Sequence, residues 1–297
     1  MNLKKIASRT ALIYCAVFIL VTVMQIILII PASLLIIIDP MLLGLTLSYI
    51  PLYLFGIPLA FYMFKRIPDC ESPSEKKRLD FKSILKYFPV SYAFLIFGST
   101  ISTYLEGILS NMMDKNVMDP VSEIINSDIS KGLLLLFTVV AAPIAEEFLF
   151  RYLPCKKLSG FGNVPYMLLT SVCFAFFHMN FFQGIYAFFV GLVLAHIFLQ
   201  TRNISYCIIL HMLINFVGSV VAPMSLASDV LSFIFGIFVI AVTLTGILTL
   251  VIYLKKTEFA VFKEFVHMEN KRHLFFNLGM IILFVIFLIS SIANIFT

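Results

Sequence analysis

The chain has 297 residues, 61% of them hydrophobic and 12% charged, and carries a net charge of +5. Soluble domains run at roughly 45–50% apolar and about 25% charged, so this composition excludes a soluble enzyme and describes a membrane protein. The basic residues cluster between apolar runs and not along one exposed face, which argues against nucleic acid as a partner.

The start, MNLKKIASRT, places Lys4, Lys5 and Arg9 ahead of an apolar run from Thr10 to Ile38. That resembles the n-region of a signal peptide, but the run far exceeds an h-region of about 7–15 residues and no small-x-small cleavage site stands out. An uncleaved first span is expected. Apolar runs then follow at 41–64, 85–106, 132–153, 163–182, 184–200, 205–223, 229–254 and 274–296. Together they predict an all-α, polytopic transmembrane bundle of about 8–9 helices, with Pro31 a candidate kink in the first. The runs are continuous and lack barrel-like alternation, so sheet is not expected.

Charge gives the bundle an orientation. With the N-terminus cytosolic, the second connection is cytosolic too, and it holds Lys65, Arg66, Lys76, Lys77, Arg78 and Lys82. The next connection is mainly acidic, with Asp114, Asp119, Glu123 and Asp128 against Lys115 and Lys131, as an outer loop should be. Arg151, Lys156, Lys157, Arg202, Lys255, Lys256, Lys263, Lys271 and Arg272 then fall inside. The expected location is a plasma membrane, crossed several times, and the absence of targeting features favours a bacterial one. No soluble domain or repeat interrupts residues 1–297, which read as one integral membrane domain. KKTEFAVFKEFVHMENKRH suits a short amphipathic helix at the membrane surface. Cys15, Cys70, Cys155, Cys173 and Cys207 have no metal-like spacing and read as reduced thiols.

The stretch AEEFLFR stands apart because it places Glu146, Glu147 and Arg151 at the end of an apolar helix. A charge at the centre of a membrane helix costs roughly 2.5–3.5 kcal/mol on insertion scales, so such groups need partners. Glu147 and Arg151 are four apart and suit an ion pair on one helix face. Glu146 is rotated by about 100° from Glu147 and points toward another helix. The plainer alternative is a helix end whose charges simply reach water. Two more helices carry polar groups: FAFFHMN has Phe174 and His178 four apart, and LHMLINF has His211 and Asn215 four apart. A lone His is more often a hydrogen-bonded core residue than a catalyst, and a lone Asn is commonly interhelical glue. Three such helices can satisfy one another by converging. A carboxylate and an imidazole can activate water, while a second imidazole and a carboxamide can stabilise an oxyanion. The same groups also suit a divalent metal such as zinc. Both chemistries stay open on the residues alone.

In this order, EEFLFR, FAFFH and HMLIN resemble the motifs EExxxR, FxxxH and HxxxN/D of the CPBP family. These are the CAAX-protease and bacteriocin-processing (Abi) intramembrane proteases, including the type II CAAX prenyl endopeptidases. The resemblance implies a CPBP-like catalytic core over 131–223. It implies Glu146 as the water-activating carboxylate working with His178, and His211 with Asn215 as the oxyanion hole. Glu147, Arg151 and Phe174 would support the site. Substrates would be membrane-associated peptides or lipidated, CAAX-type protein C-termini, with membrane lipids around the protein and a membrane-protein partner as a further candidate. The preferred mechanism needs no cofactor; a metal, if present, would sit on Glu146, His178 and His211. The alternative function is a catalytically silent scaffold or bacteriocin-immunity protein. A transporter is disfavoured, because no two-fold repeat or pair of broken helices is visible. His196 reads as core packing, and His267 and His273 as solvated. Hydropathy puts His178 toward the outer part of its span, and Glu146 and His211 near the inner side. Convergence therefore requires tilted or shortened helices.

Overall fold

Helix covers most of the described part of every predicted apolar run, with breaks at 178–180 and 276–277, in the computed structural model, which describes residues 2–33, 40–70, 81–114, 131–257, 260–268 and 271–296. The helices are α1 (Leu3–Ser33), α2 (40–65), α3 (Phe81–Met113), α4 (131–158), α5 (Asn163–Phe177), α6 (Phe181–Thr201), α7 (Ile204–Ser225), α8 (Asp229–Lys256), α9 (Ala260–His267), α10 (Arg272–Phe275) and α11 (Leu278–Phe296). Among the described residues there is no strand, and seven helices are long and apolar enough to cross a membrane: α1, α2, α3, α6, α7, α8 and α11. The chain is a multi-pass membrane protein. The helix of α1 continues through Pro31. The residues 34–39, Lys76, Lys77, Arg78, Lys115, Asp119, Glu123 and Asp128 lie outside the described residues.

The centre of the bundle is α6, with 61% of its apolar stretch buried, against 6% for α8. It packs between α3 and α5, and α7 closes against it and against α4. On the rim, α8 lies along α3 at Gly246, where an added Cβ would sit 2.0 Å from the Pro89 carbonyl oxygen. The outward side of α8 is largely apolar between its charged ends, with Phe233, Ile240, Leu248 and Ile252 exposed, as suits a lipid-facing surface.

One end of the bundle gathers the basic helix ends. Lys157, at the end of α4, pairs with Asp69 beyond α2, and Arg202, after α6, reaches Cys155. At the same end Glu264 of the amphipathic α9 accepts from the backbone N–H of Val164, at the start of α5, at 2.9 Å.

The sequence placed the end of the fifth helix at 182, but α5 stops at Phe177. Asn180 caps α6 by accepting from the Gln183 N–H at 3.0 Å, so the chain must leave one helix and enter the next around Met179. Met179 adopts a left-handed conformation, and its carbonyl is held by Asn294 of α11 at 2.9 Å. At 15 residues α5 is about 22 Å long, shorter than a bilayer core of about 30 Å, so His178 ends inside the bundle.

Among the described residues four stretches are wound as π-helix: Leu52–Gly56, Leu135–Ala141, Phe148–Tyr152 and Val217–Val221. Each ends two residues before a proline, namely Pro58, Pro143, Pro154 and Pro223. Proline has no N–H and crowds the carbonyl four residues back, and the wider π turn relieves that crowding. Helix α4 holds two such turns, with Ala142–Glu147 between them.

Candidate active site

The short α-helical turn Ala142–Glu147 carries both carboxylates, and the second π turn carries Arg151. Glu147 and Arg151 form the expected pair, with Oε2 and Nε 3.2 Å apart and neither side chain exposed. The other Glu147 oxygen, Oε1, lies 2.9 Å from Nδ1 of His211 on α7, so that nitrogen carries a proton donated to the carboxylate. Across the same ring, Nε2 of His211 lies 3.6 Å from Oε2 of Glu146. The Glu146 side chain is 20% exposed, which makes it the reachable one of the two carboxylates. Glu146 thus does turn toward another helix, and its partner there is shared with Glu147.

Phe174 is the hub of the site. The Arg151 guanidinium sits 4.5 Å over its ring, and the His178 and His211 rings meet it edge-on at 4.7 and 5.9 Å between centroids. His178 gives its Nδ1 hydrogen to the Phe174 carbonyl at 2.7 Å, which leaves the Nε2 lone pair for other work. Close approach of α6 fixes the hub from behind: a Cβ on Gly191 would lie 3.2 Å from the Phe174 ring. The contacts explain how groups at different depths converge. Counted from the basic end, His211 lies about 12 Å in, Glu146 about 16 Å and His178 about 22 Å, at ~1.5 Å per residue. The Phe174 ring and the long Arg151 side chain span the difference.

Asn215, on α7, donates through Nδ2 to the Thr138 carbonyl at 2.9 Å. Thr138 lies in the first π turn of α4, five residues before Pro143, where an i→i+5 donor would stand and proline has none. One of the two carboxamide hydrogens is therefore engaged with α4.

Sequence reasoning missed the tyrosines. Tyr53 of α2 donates to the Ala141 carbonyl at 2.6 Å, Tyr14 of α1 to the Leu149 carbonyl at 2.9 Å, and Tyr166 of α5 to the Arg151 carbonyl at 2.9 Å. Tyr49, one turn before Tyr53, stacks on Phe137 of α4. A tyrosine in an apolar helix gives no warning that it will reach a neighbour's backbone.

The other histidines stand apart from this cluster. His196 shares a 3.0 Å hydrogen bond with the Tyr253 hydroxyl and packs between α3 and α8, a core role as expected. His273 is half-buried in α10, and the His267 side chain lies outside the described residues. All five cysteines are free thiols. Among the described residues no group of three or more His, Cys, Asp or Glu side chains is arranged to hold a metal ion, so Glu146, His178 and His211 as placed do not make a metal cage. No curated protein and no solved structure matches the chain. Residues 129–217, which hold all three motifs, match the family model described as Type II CAAX prenyl endopeptidase Rce1-like, so this part of the chain is similar to that family.

Proposed function

We propose that the protein is an intramembrane endopeptidase that hydrolyses a peptide bond in a membrane-associated or lipidated, CAAX-type substrate through a glutamate-activated water. The observation that carries this reading is the unequal pair of carboxylates. Glu147 is sealed between Arg151 and His211, whereas Glu146 is partly open and faces the far nitrogen of the same imidazole.

In this mechanism a water sits between Glu146 and His178. Glu146 accepts one proton, and the Nε2 lone pair of His178 holds the other hydrogen in place. The water oxygen attacks the scissile carbonyl carbon, and the carbonyl π electrons move onto its oxygen. The second Nδ2 hydrogen of Asn215 stabilises that oxyanion, and His211 joins it when Nε2 carries a hydrogen as well as Nδ1. Glu147 fixes the His211 ring through Nδ1, as a buried carboxylate orients a catalytic imidazole. Collapse of the tetrahedral intermediate breaks the C–N bond, and Glu146 returns its proton to the leaving amine. The three motifs, together with Glu146 lying 3.6 Å from His211, support these roles for Glu146, His178, His211 and Asn215. The N-terminus is proposed to be cytosolic, in a bacterial plasma membrane, because the structure gathers the basic helix ends on one side.

The test is cleavage by purified protein in liposomes, with fluorogenic farnesylated CAAX peptides alongside unprenylated peptides. Cleavage that disappears in Glu146→Ala and survives a chelator supports the reading. Loss on chelation moves the water-activating role to a metal. Equal cleavage by wild type and Glu146→Ala overturns the assignment of Glu146. Inertness of both on every peptide favours a silent scaffold.

A further inference from the structure

Four side chains from four different helices hydrogen-bond to backbone carbonyls of α4. Asn215 takes Thr138, Tyr53 takes Ala141, Tyr14 takes Leu149 and Tyr166 takes Arg151. All four acceptors lie in the two π turns of α4, two in Leu135–Ala141 and two in Phe148–Tyr152. The segment that carries Glu146 and Glu147 lies between those turns. A π turn holds one residue more than the α turn it replaces, so losing it rotates everything beyond by about 100°. The direction of the two carboxylates therefore depends on the register of the first π turn.

We propose that Tyr53 is a positioning residue: its hydroxyl holds the Ala141 carbonyl, keeps Leu135–Ala141 in π register, and so aims Glu146 at His211. Of the four acceptors, Ala141 lies nearest the carboxylates on their N-terminal side, five residues before Glu146. Asn215 clamps the same turn from the opposite helix. Tyr49 gives the register a local mark, because it stacks on Phe137 inside that turn at 5.4 Å between centroids. A return to α register would swing Phe137 away from Tyr49 relative to the carboxylates. Tyr14 and Tyr166 bind the second π turn, beyond the carboxylates, and hold Arg151's segment.

The kinetic consequence rests on the endopeptidase reading, whereas the register itself does not, so the experiment has two arms. In the full chain, cysteines are placed by Tyr49→Cys and Phe137→Cys, and the yield of the linked peptide after mild oxidation is measured by mass spectrometry. Linking is expected with Tyr53 present, several-fold less in Tyr53→Phe, near the original level when p-aminophenylalanine restores a donor at 53, and unchanged in Tyr14→Phe. Absence of linking with Tyr53 present, or equal linking in Tyr53→Phe, overturns the proposal. In the second arm Tyr53→Phe is assayed on a farnesylated CAAX peptide. kcat should fall roughly ten- to a hundred-fold with KM within about two-fold, as for a misplaced reacting group, and p-aminophenylalanine should recover it. An unchanged kcat overturns the positioning role. A wild type that cleaves nothing overturns the endopeptidase reading instead, and the linking yield then decides the register alone.

Discussion

His211 and Glu147 are joined at 2.9 Å between Nδ1 and Oε1, on helices 64 residues apart in sequence and with neither side chain more than 6% exposed. This bond ties α7 to α4 and fixes which edge of the imidazole faces Glu146. It also makes Glu147 the common partner of a histidine and an arginine, so its removal leaves two groups without their acceptor.

Glu147→Leu should therefore be the most damaging single change at the site. It strands the Arg151 guanidinium, which is wholly buried, and breaking such a pair costs about 3–5 kcal/mol. Adding Arg151→Met to Glu147→Leu should recover most of the thermal stability, since replacing both partners by apolar groups removes the unpaired charge. Melting of the single and double variants in one detergent checks this. A double variant no more stable than Glu147→Leu would show that the pair is not what holds α4.

Glu146→Gln should separate chemistry from folding. The side chain is partly exposed and its contact with His211, at 3.6 Å, is longer than a hydrogen bond. The melting temperature should stay within a few degrees of wild type, while cleavage falls by at least roughly a hundred-fold if Glu146 is the base. A stable variant with full activity would place the base elsewhere.

Asn215→Leu removes the donor that α7 offers to the Thr138 carbonyl. Interhelical hydrogen bonds in membranes are worth about 0.6 kcal/mol on average and up to about 1.7, so a small destabilisation is expected. Activity should drop further than stability implies, by roughly a hundred- to a thousand-fold, if the second carboxamide hydrogen serves the oxyanion. Parallel melting and single-turnover measurements distinguish the two effects.

Gly246→Leu tests the rim. The Pro89 carbonyl oxygen stands 2.0 Å from where the Cβ would be, so α8 must move off α3. Overpacking of this kind costs typically about 1–3 kcal/mol. Because α8 packs mainly on α3 and meets α7 at its Ala222–Ser225 end, away from His211 and Asn215, kcat at temperatures well below melting should be nearly unchanged. A large loss of kcat would mean that α8 bears on the site.

Much of the fold could be read from the chain because membrane helices advertise themselves. Uninterrupted apolar runs such as Ile204–Ser225 leave the backbone no partner but itself, and helix formation follows wherever they occur. The break between α5 and α6 was misplaced because one polar residue decided it: Asn180 caps α6 and ends α5 three residues before Gln183. Its role cannot be read from hydropathy, which sees a nearly unbroken run from Asn163 to Thr201. The π turns were half legible. Pro143 lacks an N–H and crowds the Val139 carbonyl, a disturbance the chain alone implies, and the structure relieves it by widening the turn.

The candidate site divides the same way. Sequence alone determined which groups need company: Glu146, Glu147, Arg151, His178, His211 and Asn215 are costly in an apolar helix, and four-residue spacing paired Glu147 with Arg151. Only the tertiary structure decided how the company is kept. It gave one imidazole to both carboxylates, stacked Arg151 on Phe174, and brought Tyr14, Tyr53 and Tyr166 to the carbonyls of α4. The physical reason is that desolvation cost is a property of each residue, whereas the choice among neighbouring donors and acceptors depends on distances between helices that no local pattern encodes.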